Sequence, residues 1–202
     1  MKGKTLFIAI STQKGGAGKT ALTVLLSSYL HYSRGYNVAV VDCDYPQYSI
    51  NGMRLRDKQS VTEDPYYKSL FYKQCKSLNK KAYPIEVSRT PEAIETAKRI
   101  IKDSEVPLDF IFFDLPGTMN AKGVLSTLAQ MDHIITPITA DRMVLESSLE
   151  YAGLINEQII TTGKGNIKSL YLLWNIVDGR ESNHLYGVYE QVIAELGLQV
   201  MK

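Results

Sequence analysis

Short apolar runs alternate along the chain with stretches in which apolar residues recur every three or four positions. Five apolar runs, several of them rich in β-branched side chains, lie at residues 6–11, 37–42, 109–114, 133–138 and 169–177. Runs of this length and composition are typical of buried strands. The helical spacing occurs at residues 18–33, 90–101, 120–131, 141–159 and 185–196. This alternation predicts an α/β fold with a mostly parallel sheet and helices on both faces.

Local signals set several of the predicted boundaries. Thr90 can cap a helix that has Pro91 in its first position, and Asp141 can cap a longer helix. Gly35 can end the first helical stretch. Residues 197–202 resemble the beginning of a further strand.

Residues 45–83 depart from this pattern because they are polar, basic and rich in tyrosine, with six of the thirteen tyrosines of the chain. Within them, residues 54–81 carry eight Lys and Arg against three Asp and Glu, although the whole chain has a net charge of only +2. The segment is the least regular part of the chain and predicts an insertion or lateral subregion on the α/β core. Its ordinary interpretation is a solvated pair of helices.

Length and composition limit the class of protein. The chain of 202 residues is long enough for one sizeable domain or two very small ones, and we expect a single domain over residues 1–202. It is 45% hydrophobic and 22% charged, which excludes collagen-like, low-complexity and wholly disordered proteins. No apolar run approaches the roughly 18 residues of a membrane span, and no export signal is visible. We therefore expect a cytoplasmic protein without a membrane anchor, with Cys43 and Cys75 as free thiols.

Residues 13–20 have the sequence Gln-Lys-Gly-Gly-Ala-Gly-Lys-Thr and lie between the first predicted strand and the first predicted helix. Glycines let a backbone turn tightly and present several N–H groups to one anion, and a helix N-terminus favours negative charge. Lys19 is placed to contact the β and γ phosphates of a nucleotide, and the Thr20 hydroxyl is a ligand for Mg²⁺. The sequence therefore predicts a phosphate-binding loop, whose other binding residues are Gly15, Gly16, Ala17, Gly18 and Ala21.

Three aspartates lie at the ends of predicted strands. Asp42 and Asp44 follow the second strand, and Asp114 ends the third. In open parallel sheets ligands bind beyond the carboxyl ends of the strands, which is also where the Gly-rich loop lies. We therefore expect the three carboxylates to converge beside the loop, where phosphoryl transfer requires a metal-organising acid and a residue that orients water.

The loop departs from the ordinary G-x-x-x-x-G-K-[ST] pattern because Gln13 occupies the first glycine position and Lys14 enters early. The string K-G-G-x-G-K-T resembles the deviant Walker A motif of the ParA/Soj/MinD family of P-loop ATPases, and the chain is most similar to ParA-like partition proteins. The resemblance extends from residue 5 to about residue 197. It implies a P-loop NTPase-like fold with ATP and Mg²⁺ as ligands, and it implies that Lys14 crosses an ATP-sandwiched dimer interface to the partner's nucleotide.

The same resemblance assigns roles to four residues beyond the loop. Asp114 resembles the Walker B acid that reaches Mg²⁺, with Asp42 supporting the metal shell beside Thr20. Asp44 resembles the acid that orients the attacking water. Asn175 follows an apolar run and matches an asparagine that holds adenine, because its amide both donates and accepts hydrogen bonds.

The family resemblance favours a ParA-like ATPase that segregates or transfers plasmid or mobile-element DNA. Such a protein closes an ATP-dependent homodimer, binds DNA non-specifically through Lys and Arg, and is released when a partner protein stimulates hydrolysis. Residues 54–81, Lys164 and Arg180 are the candidate DNA contacts, although a solvated face explains any one of them equally well.

Several alternatives stay open at this point. A MinD-like membrane-cycling ATPase would need a C-terminal amphipathic helix, and none is visible before Lys202. A metabolic or metal-cluster ATPase, such as dethiobiotin synthetase or the nitrogenase iron protein, would need a substrate pocket or suitably spaced cysteines. Tyr45 is inserted before Pro46-Gln47, and Gly117 stands where the family usually has proline. These departures also permit a nucleotide switch that hydrolyses ATP only weakly.

Overall fold

A seven-stranded sheet forms the centre of the computed structural model, which describes residues 3–13, 15–180 and 183–201. The strands in chain order are β1 (Leu6–Ile10), β2 (Val38–Asp42), β3 (Ile85–Val87), β4 (Phe110–Asp114), β5 (His133–Ile138), β6 (Ser169–Trp174) and β7 (Gln199–Val200). Their order across the sheet is β3-β2-β4-β1-β5-β6-β7, and every pair is parallel. All strands therefore end at the same edge of the sheet.

Within the described part of the chain, seven α-helices connect these strands. They are α1 (Lys19–Ser28), α2 (Ser49–Glu63), α3 (Pro65–Leu78), α4 (Ala93–Asp103), α5 (Val124–Leu128), α6 (Arg142–Ile155) and α7 (Asn183–Glu195). One π-helical turn extends α1 over Tyr29–Ser33, and another extends α6 over Asn156–Ile160. No helix among residues 3–13, 15–180 and 183–201 is both long and apolar enough to cross a membrane.

Apolar side chains cover both faces of the sheet, because successive residues of a strand point to opposite sides. Val40 and Phe112 pack on the face that carries α1 and α2. Val41 and Phe113 pack on the opposite face, against residues of α4, α5, α6 and α7. The predicted α/β fold with helices on both faces is thereby confirmed, and its double burial explains why the strands are continuous apolar runs.

The predicted boundaries agree with the structure in most places, except that Thr90 and Pro91 lie in a 3₁₀ turn (Thr90–Glu92) and do not cap α4, which begins at Ala93. The five predicted strands correspond to β1, β2, β4, β5 and β6, and the further strand predicted at the end is β7. Asp141 caps α6 by accepting a hydrogen bond from the Val144 N–H at 2.9 Å. β3 was not predicted, because a strand of three residues is too short to show the alternation of apolar and polar residues from which strands are predicted.

The segment of residues 45–83 is more regular than its sequence suggested. It contains α2 and α3, which form a helical hairpin, in agreement with its ordinary interpretation as a solvated pair of helices. The segment is therefore regular where its sequence predicted the least regular part of the chain. Ile50 is the one buried residue of α2, and none of α3 is buried. α2 accordingly shows almost no apolar periodicity, which is the pattern from which helices are predicted.

Candidate nucleotide-binding site

The Gly-rich loop joins the end of β1 to the start of α1, at the carboxyl edge of the sheet. Gly16 and Gly18 both have φ of +85°, a backbone conformation that favours glycine, and Gly18 directly precedes the first helical residue. A side chain at position 18 would also collide with the Asn175 amide. The backbone of the loop thus leads directly into the N-terminus of α1, where an anion is stabilised.

Lys19 begins α1, and its ammonium group lies against the segment that follows β4. A Cβ atom added to Gly117 would stand 3.0 Å from Lys19 Nζ and 3.7 Å from the Gln13 carbonyl oxygen. Glycine at position 117 therefore leaves room for the Lys19 head group between the loop and this segment. The family usually has proline at this position, so the glycine found here lies directly beside Lys19, the lysine predicted to bind phosphate.

Thr20 and Asp114 are brought together as predicted. The Thr20 hydroxyl donates a hydrogen bond to Asp114 Oδ2 at 2.8 Å. Asp114 is 1% exposed, and its Oδ1 is buried with no hydrogen-bond partner among the described residues. An orphaned carboxylate oxygen beside a hydroxyl fits a divalent cation with oxygen ligands, so these two residues fit the implied Mg²⁺.

The electrostatics of the acids show that they share one small region. Burial raises the pKa of Asp114 to about 7; the Thr20 hydrogen bond and Lys19 act to lower it, and Asp42 and Asp44 act to raise it. Burial also raises the pKa of Asp44, against the lowering effect of Lys19. A group of nearby carboxylates with elevated pKa values beside a lysine is typical of a functional site.

Asp42 is fully buried and faces Asp114 in the register of the neighbouring strands. Its Oδ2 accepts the N–H of Asn51 at 3.0 Å, and its Oδ1 accepts the N–H of Asp44 at 3.4 Å. Asn51 lies in the first turn of α2, so Asp42 holds the start of that helix with a negative charge. Its predicted support of the metal shell stays a prediction beside this structural role.

Asp44 is half-buried in the turn that follows β2, and its carbonyl oxygen accepts the N–H groups of Gln47 and Tyr48. The inserted Tyr45 points outward and is 59% exposed. Its ring lies 5.8 Å from the ring of Tyr48, and the Arg89 guanidinium carbon lies 5.4 Å from its centroid. The insertion is therefore taken up on the surface and leaves Asp44 near Lys19.

Asn175 follows β6 and contacts the loop directly. Its backbone N–H donates to the Ile138 carbonyl, and its side-chain Nδ2 donates to the Ala17 carbonyl, both at 2.8 Å. Its Oδ1 accepts no hydrogen bond from the described residues, which leaves that oxygen as an acceptor for a base. The position fits the adenine contact that the family resemblance implies.

A buried polar network beneath the loop was missed by sequence reasoning. Ser11 Oγ and Tyr151 Oη lie 2.5 Å apart, and Thr12 Oγ1 and Ser148 Oγ lie 3.1 Å apart. These pairs tie the first residues of the loop to α6. The sequence did contain a sign of this network, because Ser148 and Tyr151 are three residues apart and therefore place two polar groups on the same inner face of a helix.

Lys14 lies outside the described residues. Cys43 lies between the acids but is 1% exposed, and burial raises the pKa of its thiol to about 12. Cys43 and Cys75 are both free, in agreement with the expectation.

Comparison with known proteins identifies the family. The family model described as the CobQ/CobB/MinD/ParA nucleotide binding domain matches residues 8–202. The chain belongs to this family. The chain is also 25% identical over 191 residues to the chromosome-partitioning ATPase Soj of Thermus thermophilus, a match that covers 89% of this chain and 73% of Soj. The resemblance to P-loop ATPases of the ParA/Soj/MinD type is thereby confirmed.

Solved structures of the same fold include two partition proteins. A plasmid partition protein of Borrelia burgdorferi bound to AMPPNP superimposes with a TM-score of 0.63 at 18% identity, over 96% of this chain and 84% of that chain. The pNOB8 ParA protein bound to nonspecific DNA superimposes with a TM-score of 0.60 at 16% identity, over 95% and 75% of the two chains. These likenesses confirm the P-loop fold of the ATPase family.

Proposed function

We propose that the chain binds ATP with Mg²⁺ at the Gly-rich loop and hydrolyses it as a dimeric switch of the ParA type. The observation that carries this proposal is the pairing of the Thr20 hydroxyl with Asp114, whose other oxygen is buried without a partner among the described residues. Lys19, at the start of α1, lies against the same edge of the sheet. A phosphate chain with a bound cation would provide partners for the Thr20 hydroxyl, the Asp114 carboxylate and the Lys19 ammonium at the same time.

The residues of the site divide the work of phosphoryl transfer. Backbone N–H groups of the loop and the N-terminus of α1 bind the phosphates, and Lys19 adds a positive charge. Thr20 and Asp114 would hold Mg²⁺, which supplies charge neutralisation of the phosphate oxygens. Asp44 orients the attacking water and accepts its proton, and a raised pKa brings this carboxylate nearer to the working pH of a base.

We extend the proposal to an ATP-dependent homodimer in which Lys14 contacts the partner's nucleotide. The support is the deviant loop sequence, with a lysine placed early. The Lys14→Ala variant should bind nucleotide as a monomer but fail to dimerise with ATP. Light scattering after size exclusion, with Lys122→Ala as the matched control, measures this; a Lys14→Ala dimer as stable as the wild type contradicts the crossing role.

We also propose that the dimer binds DNA non-specifically, and the basic α2–α3 hairpin supports this. Lys68, Lys73 and Lys76 of α3 are exposed and lack ion pairs among the described residues. Arg180 is a weaker candidate because Asp178 binds its guanidinium, with Nη2 at 2.6 Å from Oδ2. Each phosphate contact should contribute about −0.9 to the salt slope of binding.

The biological role proposed is segregation or transfer of plasmid or mobile-element DNA in the cytoplasm, with hydrolysis stimulated by a partner protein. The support is the similarity to Soj, a chromosome-partitioning ATPase, and to plasmid partition proteins. ATP turnover measured with and without DNA tests the enzyme directly. Absence of turnover under every condition, with nucleotide bound, identifies a switch that does not hydrolyse. ATP-dependent binding to anionic vesicles in place of DNA identifies the MinD-like alternative.

A further inference from the structure

A cavity of about 510 Å³ lies between α1, the α2–α3 hairpin and the start of β3, apart from the nucleotide site. Its apolar wall is formed by Val24, Ile50, Met53, Val61, Phe71 and Ile85. Pockets that bind small molecules have volumes of roughly 300–1,000 Å³ and pair apolar walls with a few convergent polar groups. The cavity has both properties, and none of the described residues that line it belongs to the candidate nucleotide site.

The polar side of this cavity is organised around Arg54. Its Nη1 donates to the Tyr83 carbonyl at 2.8 Å, and its guanidinium carbon lies 4.8 Å from the centroid of the Tyr83 ring. The Tyr83 hydroxyl is in turn 3.1 Å from Ser28 Oγ of α1. The guanidinium is thus held in one orientation by a single carbonyl and a ring face, and its remaining N–H groups are left for a ligand.

The charges that line the cavity favour an anion. Among the described residues the cavity is lined by two cations, Arg54 and Lys58, and by one acid, Asp57, and neither cation forms an ion pair with another of these residues. A half-buried guanidinium beside an apolar wall is stabilised most by a carboxylate or similar group that accepts two parallel hydrogen bonds.

We propose that this cavity binds a small amphipathic anion. The apolar body of the ligand packs against Met53 and Phe71, and its anionic head accepts hydrogen bonds from Arg54, with Lys58 adding charge at the rim. This site is independent of nucleotide binding, so it stands whether or not the chain hydrolyses ATP.

The test is a titration of the full chain, without nucleotide, with sodium decanoate below its micelle concentration. Methionine methyl groups labelled with ¹³C report the site, because Met53 lines the cavity whereas Met131 is buried on the opposite face of the sheet and Met143 is exposed on α6. Met53→Leu assigns the signal. The Met53 methyl should shift saturably while the other two stay, and decanol and decyltrimethylammonium should bind at least about tenfold more weakly.

Substitutions distinguish binding of the anionic head group by Arg54 and Lys58 from binding to the apolar wall alone. Arg54→Gln should weaken decanoate about tenfold, and Asp57→Asn should tighten it a few-fold. Arg56→Gln makes the same charge change outside the cavity and should have no effect. If Arg54→Gln is unfolded, Lys58→Gln removes the second cation without removing any hydrogen bond and should still weaken binding. An unmoved Met53 signal, or equal affinity for decanol and decanoate, overturns the proposal.

Discussion

The nucleotide edge of the sheet and the α2–α3 hairpin are held in place by different forces. At the edge, Asp42 and Asp114 end strands whose other residues are almost wholly buried, and each acid contacts an element packed against it. In the hairpin only Ile50 is buried, and α3 has no buried residue. Position at the site is therefore imposed by the core, whereas the hairpin has few anchors in the core, such as Ile50, and depends more on local signals and on the contact between its two helices.

Those local signals are visible at both ends of α3. Asp64 Oδ1 accepts the N–H of Tyr66 at 2.7 Å, and Pro65 occupies the first helical position. Asn79 ends the helix in the left-handed conformation, with φ of 50°. Substitutions at the edge should therefore change chemistry and stability together, whereas substitutions at exposed positions of the hairpin should change surface binding alone.

The largest effect is expected at Asp44. Asp44→Ala should slow ATP turnover by roughly 10²–10⁴-fold, because a group that orients and deprotonates water contributes about that much. Nucleotide affinity should change only a few-fold, since Asp44 does not cradle the phosphates. Steady-state turnover and calorimetric titration measure the two quantities, with Asp57→Ala on the hairpin as the control. Unchanged turnover removes Asp44 from the reaction.

A large effect on stability is expected at Asp114. Its pKa of about 7 lies above the ordinary value, so the folded chain holds the proton longer than the unfolded chain. The stability contributed by the protonated carboxyl is complete below about pH 4 and is lost as the pH rises to about 7. At pH 8 without metal, Asp114→Asn should therefore be more stable than the wild type, by as much as about 4 kcal/mol.

Urea unfolding at pH 5 and pH 8 measures this difference, which should be much smaller at the lower pH. The same variant should lose most of the stabilisation that MgATP gives to the wild type. Asp64→Asn on the hairpin provides the matched charge change at an exposed helix cap. A wild type that gains stability from pH 5 to pH 8 relative to Asp114→Asn contradicts the burial of this carboxyl.

A smaller effect is expected at the polar network beneath the loop. Tyr151→Phe removes the partner of Ser11 Oγ in a buried position and should lower the free energy of unfolding by about 1–2 kcal/mol. Tyr72→Phe, at a position that is 66% exposed, should change it by less than about 0.5 kcal/mol. Equal losses from both variants would remove the proposed contrast between the two regions.

The smallest effect on stability is expected from the hairpin cations. Replacing Lys68, Lys73 and Lys76 together by Gln should change the free energy of unfolding by less than about 0.5 kcal/mol per site. The salt slope of ATP-dependent DNA binding should become shallower by about 0.9 for each DNA phosphate that the variant no longer neutralises. The triple variant at Lys98, Lys102 and Lys122 carries the same charge change away from the hairpin. Equal salt slopes for the two triple variants contradict DNA binding through α3.

The sequence predicted the sheet and the loop because both depend on short-range signals. Buried strands such as β2 are continuous apolar runs, and the order of strand, Gly-rich loop and helix fixes where Lys19 and Thr20 lie. The convergence of Asp44 and Asp114 followed from the parallel topology alone.

The rest depends on contacts between residues far apart in the chain. No local pattern shows that Asp42 binds the first turn of α2, or that Gly117 makes room for the Lys19 head group. α2 has almost no apolar periodicity, and α3 buries none of its residues, so a buried apolar stripe could not reveal these two helices.

The loop from β1 to α1 is proposed to bind the triphosphate of an adenine nucleotide, and the other roles proposed at this edge of the sheet depend on that binding. Calorimetric titration of the full chain with AMPPNP and Mg²⁺ tests it most directly, with Lys19→Ala as the comparison and Lys58→Ala as the matched control. We expect one nucleotide bound per chain in the wild type and in Lys58→Ala, and a loss of at least about a hundredfold in affinity in Lys19→Ala. Absence of binding to the wild type, or full affinity in Lys19→Ala, would contradict the claim.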